Sequence, residues 1–154
     1  MTEGITLTLR LAEACDADDL LAWRNDPVTR TNSRNTAEIS RESHDAWLLR
    51  ALADANRRIW IAERGVERLG TVSAVRNAGG PVELSITVAP AMRGRGVGAV
   101  MLHAALAETA RIWPGDAITA MIRPSNGPSL RLFERCGFVA TDRKDDLLIY
   151  RWRN

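Results

Sequence analysis

Residues 82–105 read VELSITVAPAMRGRGVGAVMLHAA, and the fold turns on how this stretch divides. Val82, Leu84, Ile86 and Val88 alternate with Glu83, Ser85 and Thr87, the period of a half-buried strand. Val97, Met101, Ala105, Thr109 and Ile112 then recur at helical spacing, up to Trp113 and a Pro-Gly stop. Between the two lies Arg93-Gly94-Arg95-Gly96-Val97-Gly98. A helix N-terminus leaves several backbone N–H groups unpaired and carries partial positive charge. Glycines tolerate positive φ and remove the side chains that would keep a phosphate from those groups, while Arg93 and Arg95 can add charge-assisted bonds. Taken alone, the loop fits equally a strand-to-helix turn whose arginines point to solvent. It is not a P-loop, which needs Gly-Lys-Ser/Thr, because the single lysine is Lys144.

Outward from this stretch, residues 5–11 alternate as a strand, and Asp16 reads as the cap of a short helix ADDLLAWRND that stops before Pro27. Residues 28–38 are polar and read as a loop. A second helix begins at Ser40, with Ser40 and Ser43 as candidate caps and Trp47, Leu48 and Leu52 as its apolar stripe. RIWIAERG, RLGTVSAVRNAGG and PVELSITVAP form a meander; DAITAMIRP is a strand, GPSLRLFERCG a helix, and FVATD and LLIYRW the closing strands. The order β-α-α-β-β-β-α-β-α-β-β predicts an α+β fold: a single mixed, mostly antiparallel central sheet flanked by helices, in one domain over residues 1–154. A dinucleotide-binding fold carries its glycine loop after the first strand of a βαβ unit, whereas these glycines follow the fourth strand.

Composition narrows the function classes. The chain has 154 residues and a net charge of +2, with its basic residues scattered, so no nucleic-acid partner is indicated. No leader and no long apolar span is present, which predicts a cytoplasmic protein with no membrane association. Cys15 and Cys136 read as buried reduced thiols. His44 and His103 have no Cys or carboxylate at ligand spacing, so no metal is expected.

The strand ending Val88-Ala89-Pro90, then Arg-x-x-Gly-x-Gly and an amphipathic helix, resembles the acetyl-CoA signature of the GNAT (GCN5-related) N-acetyltransferases. RPSNGPSLRLFERCGF resembles that family's second signature, Asn-x-x-(small)-x-x-x-Tyr-x-x-x-Gly-Phe, through Asn126, Ser129, Gly137 and Phe138. The resemblance spans essentially the whole chain. It implies that the backbone of Arg93, Gly94, Arg95, Gly96, Val97 and Gly98 holds the CoA pyrophosphate. It also implies that the strand ending at Val88 aligns the pantetheine arm across a gap between two parallel strands, with a backbone N–H near Val88 facing the developing oxyanion. Asn126 would contact the cofactor arm, although in PSNGP it is equally a turn residue. The family's tyrosine, which protonates the leaving thiolate, falls at Phe133, which has no proton to give; Ser129, Tyr150 or water are the substitutes. Glu83, ten residues before Arg93, is the candidate general base, with His44 a second candidate.

The acceptor segment contains WRNDPVTRTNS and ISRESHDAWL. These resemble GNAT members that acetylate amino groups on nucleotide-linked deoxy-sugars, the pseudaminic acid pathway type. In that reading Arg24, Arg30 and Arg34 meet a diphosphate, Trp23 or Trp47 stacks on a sugar or base, and Asn25 and His44 join the site. The same WRND helix is similar to that of members acetylating protein N-termini, notably on ribosomal proteins. A non-catalytic acetyl-CoA-binding domain is the third alternative. Domains of this fold often form homodimers, though no residue here compels it.

Overall fold

The computed structural model describes residues 6–153. In chain order the elements are β1 (Thr8–Leu11), α1 (Ala17–Asn25), α2 (Pro27–Asn32), α3 (Arg41–Ala53), β2 (Arg57–Arg64), β3 (Glu67–Arg76) and β4 (Val82–Val88). There follow α4 (Val97–Ile112), β5 (Ile118–Ile122), α5 (Gly127–Arg135), β6 (Phe138–Lys144) and β7 (Leu147–Trp152). Seven strands form one sheet in the order β1-β2-β3-β4-β5-β7-β6. Every neighbouring pair is antiparallel except β4–β5. The mixed, mostly antiparallel sheet expected from the sequence is therefore present.

The β4–β5 pair decides the architecture. It is registered only at Val82–Ile118 and Glu83–Thr119. Beyond that point β4 stays with β3, while β5 follows β7, and the sheet opens. The Val82 N–H donates to Ala117 O at 2.8 Å, so the even-numbered backbone groups of β4 point toward β5. By strand alternation, the N–H and C=O groups of Leu84, Ile86 and Val88 face the opening.

The two sheet faces are covered differently, and strand alternation sets the difference. On one face Ile59 and Ile61 of β2 pack with Leu20 and Trp23 of α1 and Leu48 of α3. On the other, Trp60, Ala62, Val72 and Leu84 pack beneath α4 (Val97, Met101, Leu102, Ala105) and reach Phe133 of α5. Register extends the first face across the sheet: Ile59 lies beside Ser73 and Ser85, and Ile61 beside Thr71 and Thr87. The apolar cover of α1 and α3 thus gives way, over β3 and β4, to a floor of hydroxyl groups.

Several expectations are corrected. Ile5 lies outside the described residues, and β1 begins at Thr8. Residues 28–38 are not all loop, because Asp26 accepts the Thr29 N–H and Pro27 occupies the first turn of α2. The proline that ends α1 also starts the next helix, having no N–H to leave unpaired. Ser40 does cap α3 through Ser43 N–H, but the buried face of α3 is His44, Leu48 and Ala51, leaving Trp47 and Leu52 exposed. Cys15 is exposed, and only Cys136 is buried.

Asp16 is buried but does not cap α1. Its carboxylate accepts two bonds from Arg10 and one from the Glu13 N–H, all at 2.8 Å. The Arg10 guanidinium holds this carboxyl below the usual carboxylate range, against the opposing effect of burial. Removing Arg10 would strand a buried anion, at a cost of about 3 kcal/mol.

Gly70 of β3 pairs with Val88 at the end of β4, where there is no room for a side chain. A Cβ there would lie 2.2 Å from Thr87 O and 3.0 Å from Val88 Cα, both backbone atoms beside the opening. Gly70→Ala is expected to lower unfolding free energy by about 2 kcal/mol or more, measured by urea denaturation. A loss under about 0.5 kcal/mol would show that the two strands separate at little cost.

Candidate active site

The glycine loop is built from two kinds of glycine. Gly94 and Gly96 have φ of 76° and 75° and nothing within 4 Å of an added Cβ, so conformation is what requires them. Gly96 is the residue before α4, and no side chain caps the helix there. The first N–H groups of α4 therefore open onto the loop. Gly98 sits in a tight place, where a Cβ would come within 3.3 Å of Leu132 Cδ2 and 3.4 Å of Val88 Cγ2 and those methyls would have to give way slightly. The start of α4 thus lies against the end of β4, beside the opening in the sheet.

The two arginines of the loop differ. Arg95 is exposed. The Arg93 guanidinium donates to Asp26 Oδ2 at 2.6 Å and to Thr29 Oγ1 at 3.2 Å, and holds the Asp26 carboxyl below its ordinary range. Arg93 thus ties the loop to the N-terminus of α2, and its backbone rather than its side chain remains for a phosphate.

The α1/α3 face carries a cavity of about 470 Å³, bounded by both helices, residues 33–39 and the hydroxyl floor of β3 and β4. Of the acceptor residues expected from sequence, Trp23, Arg24, His44 and Trp47 line it, as does Arg34. Arg30 and Asn25 are not among its lining residues. Arg30 Nε donates to Thr36 O at 3.2 Å, and the Asn25 amide makes two 2.8 Å bonds with the backbone of Ile39. Both fasten the segment that walls the cavity. Arg24 Nη2 likewise donates to Asn35 O at 2.5 Å, and Arg123 at the end of β5 donates to Ser33 O and Arg34 O.

The catalytic candidates have distinct surroundings. Glu83 is half-buried and accepts a 2.5 Å bond from Arg34 Nη2. Ser85 and Thr87, on the same face of β4, line the cavity, and Ser85 Oγ lies 2.7 Å from Ser73 Oγ. Asn126 caps α5, accepting the Ser129 N–H at 3.3 Å, so its carbonyl oxygen is engaged locally and Ser129 stands half-buried in the first turn. Phe133 is buried and meets Phe138 edge-on, with ring centres 4.9 Å apart, so the residue at this position packs in the core. Tyr150 is buried on the α4/α5 face, where its hydroxyl donates to Glu134 Oε1 at 2.9 Å; burial and that carboxylate push the phenol up.

His44 is 3% exposed, with its ring 5.5 Å from that of Trp47. Burial lowers its pKa, so the imidazole is neutral near pH 7. Ser85 and Thr87 share the Glu83 face that the sequence turns toward a substrate cleft. Sequence reasoning missed Arg57, Thr71 and Ser73 as cavity residues, since Thr71 and Ser73 occupy polar positions of an alternating strand that read as solvent-facing, and Arg57 opens a strand apolar on both faces. Among the described residues, no cluster of His, Cys, Asp or Glu could hold a metal ion, and no helix is long and apolar enough to cross a membrane.

A sheet that opens between two parallel strands, beside a helix led by glycines, defines an acyl-CoA N-acyltransferase fold. Residues 6–139 match the acetyltransferase (GNAT) domain, and the chain belongs to that family of N-acetyltransferases, whose co-substrate is acetyl-CoA. YwnH of Bacillus subtilis (strain 168), a candidate phosphinothricin acetyltransferase, is 32% identical over 86% of this chain and 84% of that protein. The crystal structure of a candidate phosphinothricin N-acetyltransferase is 28% identical, with a TM-score of 0.79, covering 96% of this chain and 98% of that one. The spermidine N-acetyltransferase of Vibrio cholerae, solved with CoA and spermine, shares the fold at a TM-score of 0.82 and 20% identity. It covers 94% of this chain and 92% of that one.

Acetyl-CoA is expected to raise the melting temperature, and Gly96→Asp, which puts bulk and negative charge at the head of α4, to abolish that shift while the protein still melts cooperatively. An undiminished shift in the variant would place the pyrophosphate elsewhere. A second expectation concerns His44, whose folded pKa lies below that of the unfolded chain. The unfolded chain takes up a proton below about pH 6.5 before the folded one does, so stability falls as pH drops through that value. The melting temperature should fall less between about pH 7.5 and about pH 5.5 in His44→Gln than in the parent; equal falls would show that burial does not perturb the ring.

Proposed function

We propose that the chain transfers the acetyl group of acetyl-CoA to the primary amine of a small molecule that enters the cavity over β3 and β4. The observation that carries this reading is the unpaired edge of β4, which faces the opening beside the head of α4. An amide-bearing arm can join that edge as an added strand does, while the glycine loop receives the pyrophosphate. When bound there, acetyl-CoA supplies a thioester carbonyl open to attack by nitrogen. The N–H groups of Ile86 and Val88 are then the donors nearest the carbonyl oxygen.

The acceptor amine must be neutral to attack, and Glu83 takes its proton. Glu83 and Val88 are five residues apart on one strand, about 16 Å, so the proton travels through water past the Ser85 and Ser73 hydroxyls. As the new C–N bond forms, the C–S bond breaks and the thiolate leaves. A thiolate of pKa about 8.5 leaves without obligatory protonation, which fits Phe133 at the family's tyrosine position. The Asn126 carbonyl and the Tyr150 hydroxyl are engaged by local partners and act through the packing of α5 and β7, while the Ser129 hydroxyl remains a candidate proton donor to the thiolate.

The cavity favours a small acceptor over a protein N-terminus. A peptide needs an open groove, and this site is walled by residues 33–39, with the two tryptophans on the helix side. An amino acid of the phosphinothricin kind, as named for the relatives, and a nucleotide-linked amino sugar both fit such a site. Thiol release measured with DTNB across an amine panel tests transfer. Glu83→Gln is expected to lower kcat roughly 100-fold near neutral pH and progressively less as the solution deprotonates the amine. A pH–rate profile that overlays the parent's would exclude Glu83 as the base.

A further inference from the structure

We propose that the acceptor carries an anionic group, a carboxylate or an oxyacid of phosphorus, and that Arg24 is the residue that selects it. This rests on the acetyltransferase reading above and adds the charge of the substrate to it.

The cavity is one-sided in charge. Its lining includes Arg24, Arg34 and Arg57 and no Asp or Glu. The nearest carboxylate of the mechanism, Glu83, is already neutralised by Arg34 at 2.5 Å. Arg57 stands at the rim, its guanidinium 5.8 Å from the Trp47 ring centre.

Among the described residues, Arg24, like Arg57, has no carboxylate within salt-bridge distance, and of the two only Arg24 has a buried donor without a partner. The bond from its Nη2 to Asn35 O fixes the guanidinium plane, while its Nη1 is buried with no hydrogen-bond partner among the described residues. A guanidinium does not escape by losing its proton, so a charge and a donor are both left without a partner in the cavity wall. Only three buried side-chain polar atoms lack a partner among the described residues: Arg24 Nη1, His44 Nδ1 and Thr109 Oγ1. The first two belong to residues lining this one cavity, and His44 is 97% buried by its 3% exposure. Buried polar groups are otherwise paired almost without exception.

An oxyanion satisfies both residues at once. Two of its oxygens can accept from the free face of Arg24, where the bond is charge-assisted, and His44 can donate a second contact. A polyamine meets the opposite: Arg24 and Arg57 carry uncompensated charge, Glu83 is already paired with Arg34, and the lining offers no other carboxylate to receive its ammonium groups, at a cost set by like-charge repulsion in a half-enclosed site. The anion binds at the α1/α3 end and the amine lies toward Ser85 and Thr87, which orients the acceptor with its nitrogen toward the opening in the sheet.

Two sources supply this chemistry, the acid groups of an amino acid and the diphosphate of a nucleotide-linked amino sugar, and the assay separates them. The probes are L-phosphinothricin and its carboxamide, a UDP-linked 4-amino sugar and the methyl glycoside of the same sugar, and spermidine. We expect kcat/KM for at least one anionic probe to exceed that of its less charged counterpart, and of spermidine, roughly 10- to 100-fold. Arg24→Met should collapse that ratio, with Arg24→Lys intermediate because a lysine keeps the charge and loses the fork. Both variants are checked for cooperative melting.

Spermidine or the less charged counterparts used as well as the anions would overturn the proposal, as would an unchanged ratio in a folded Arg24→Met. Melting scans of the CoA-saturated protein give a second readout that needs no turnover. A shift with an anionic probe, larger than with its counterpart and lost in Arg24→Met, supports anion selection even if nothing is acetylated, an outcome that would instead overturn the catalytic reading. No such shift overturns the anion proposal.

Discussion

Two rungs of parallel pairing, Val82 with Ile118 and Glu83 with Thr119, are the constraint on which the rest of the structure depends. A parallel pair normally continues until a strand ends; this one stops because each strand is held by its other neighbour. β4 is bound to β3 along its whole length and β5 to β7, and the twist of each half carries them apart. An unpaired edge inside a sheet would ordinarily be costly, since its backbone groups have lost both water and partner. Here the edge lies next to the uncapped head of α4, so the two sets of unsatisfied backbone groups form one continuous surface. Catalytic scaffold and stability cost are the same feature.

The second organising element is guanidinium chemistry turned inward. Arg93 holds Asp26, Arg123 holds Ser33 and Arg34, and Arg24 and Arg30 hold Asn35 and Thr36. Together they suspend residues 26–36 between the glycine loop on one side and the end of β5 on the other. Asn25 closes the segment by bracketing Ile39. The wall of the cavity is thereby attached to the glycine loop, the element that receives the donor in the proposed function.

How much of this was legible in the sequence depended on periodicity. β4, the glycine loop and α4 were read correctly because a period of two changes to one of 3.6 across three glycines. α5 and the closing strands followed for the same reason. α2 was not legible: PVTRTN has no apolar period, and it is helical because Asp26 caps it and Pro27 seeds it. Asp16 looked like a cap because caps are Asp, and only Arg10, brought near by the fold, turns it inward. Thr71 and Ser73 occupy the polar half of a strand whose polar half usually meets solvent. Nor can sequence say where an arginine ends. Its long arm reaches a ligand or a carbonyl with equal ease; Arg24 and Arg30 both end on main-chain carbonyls, those of Asn35 and Thr36.

The partners of those arginines are main-chain carbonyls. A carbonyl is present whatever amino acid occupies the position, so these arginine bonds to residues 33–36 do not depend on the side chains found there. The side chains of Ser33, Arg34 and Asn35 line the cavity and make bonds of their own, Ser33 Oγ donating to Thr29 O, Arg34 to Glu83, and Asn35 Oδ1 accepting from the Ala37 N–H. A change in any of them still leaves the arginine–carbonyl bonds in place. In the proposed function, what is acetylated can therefore change while the frame that displays the segment stays.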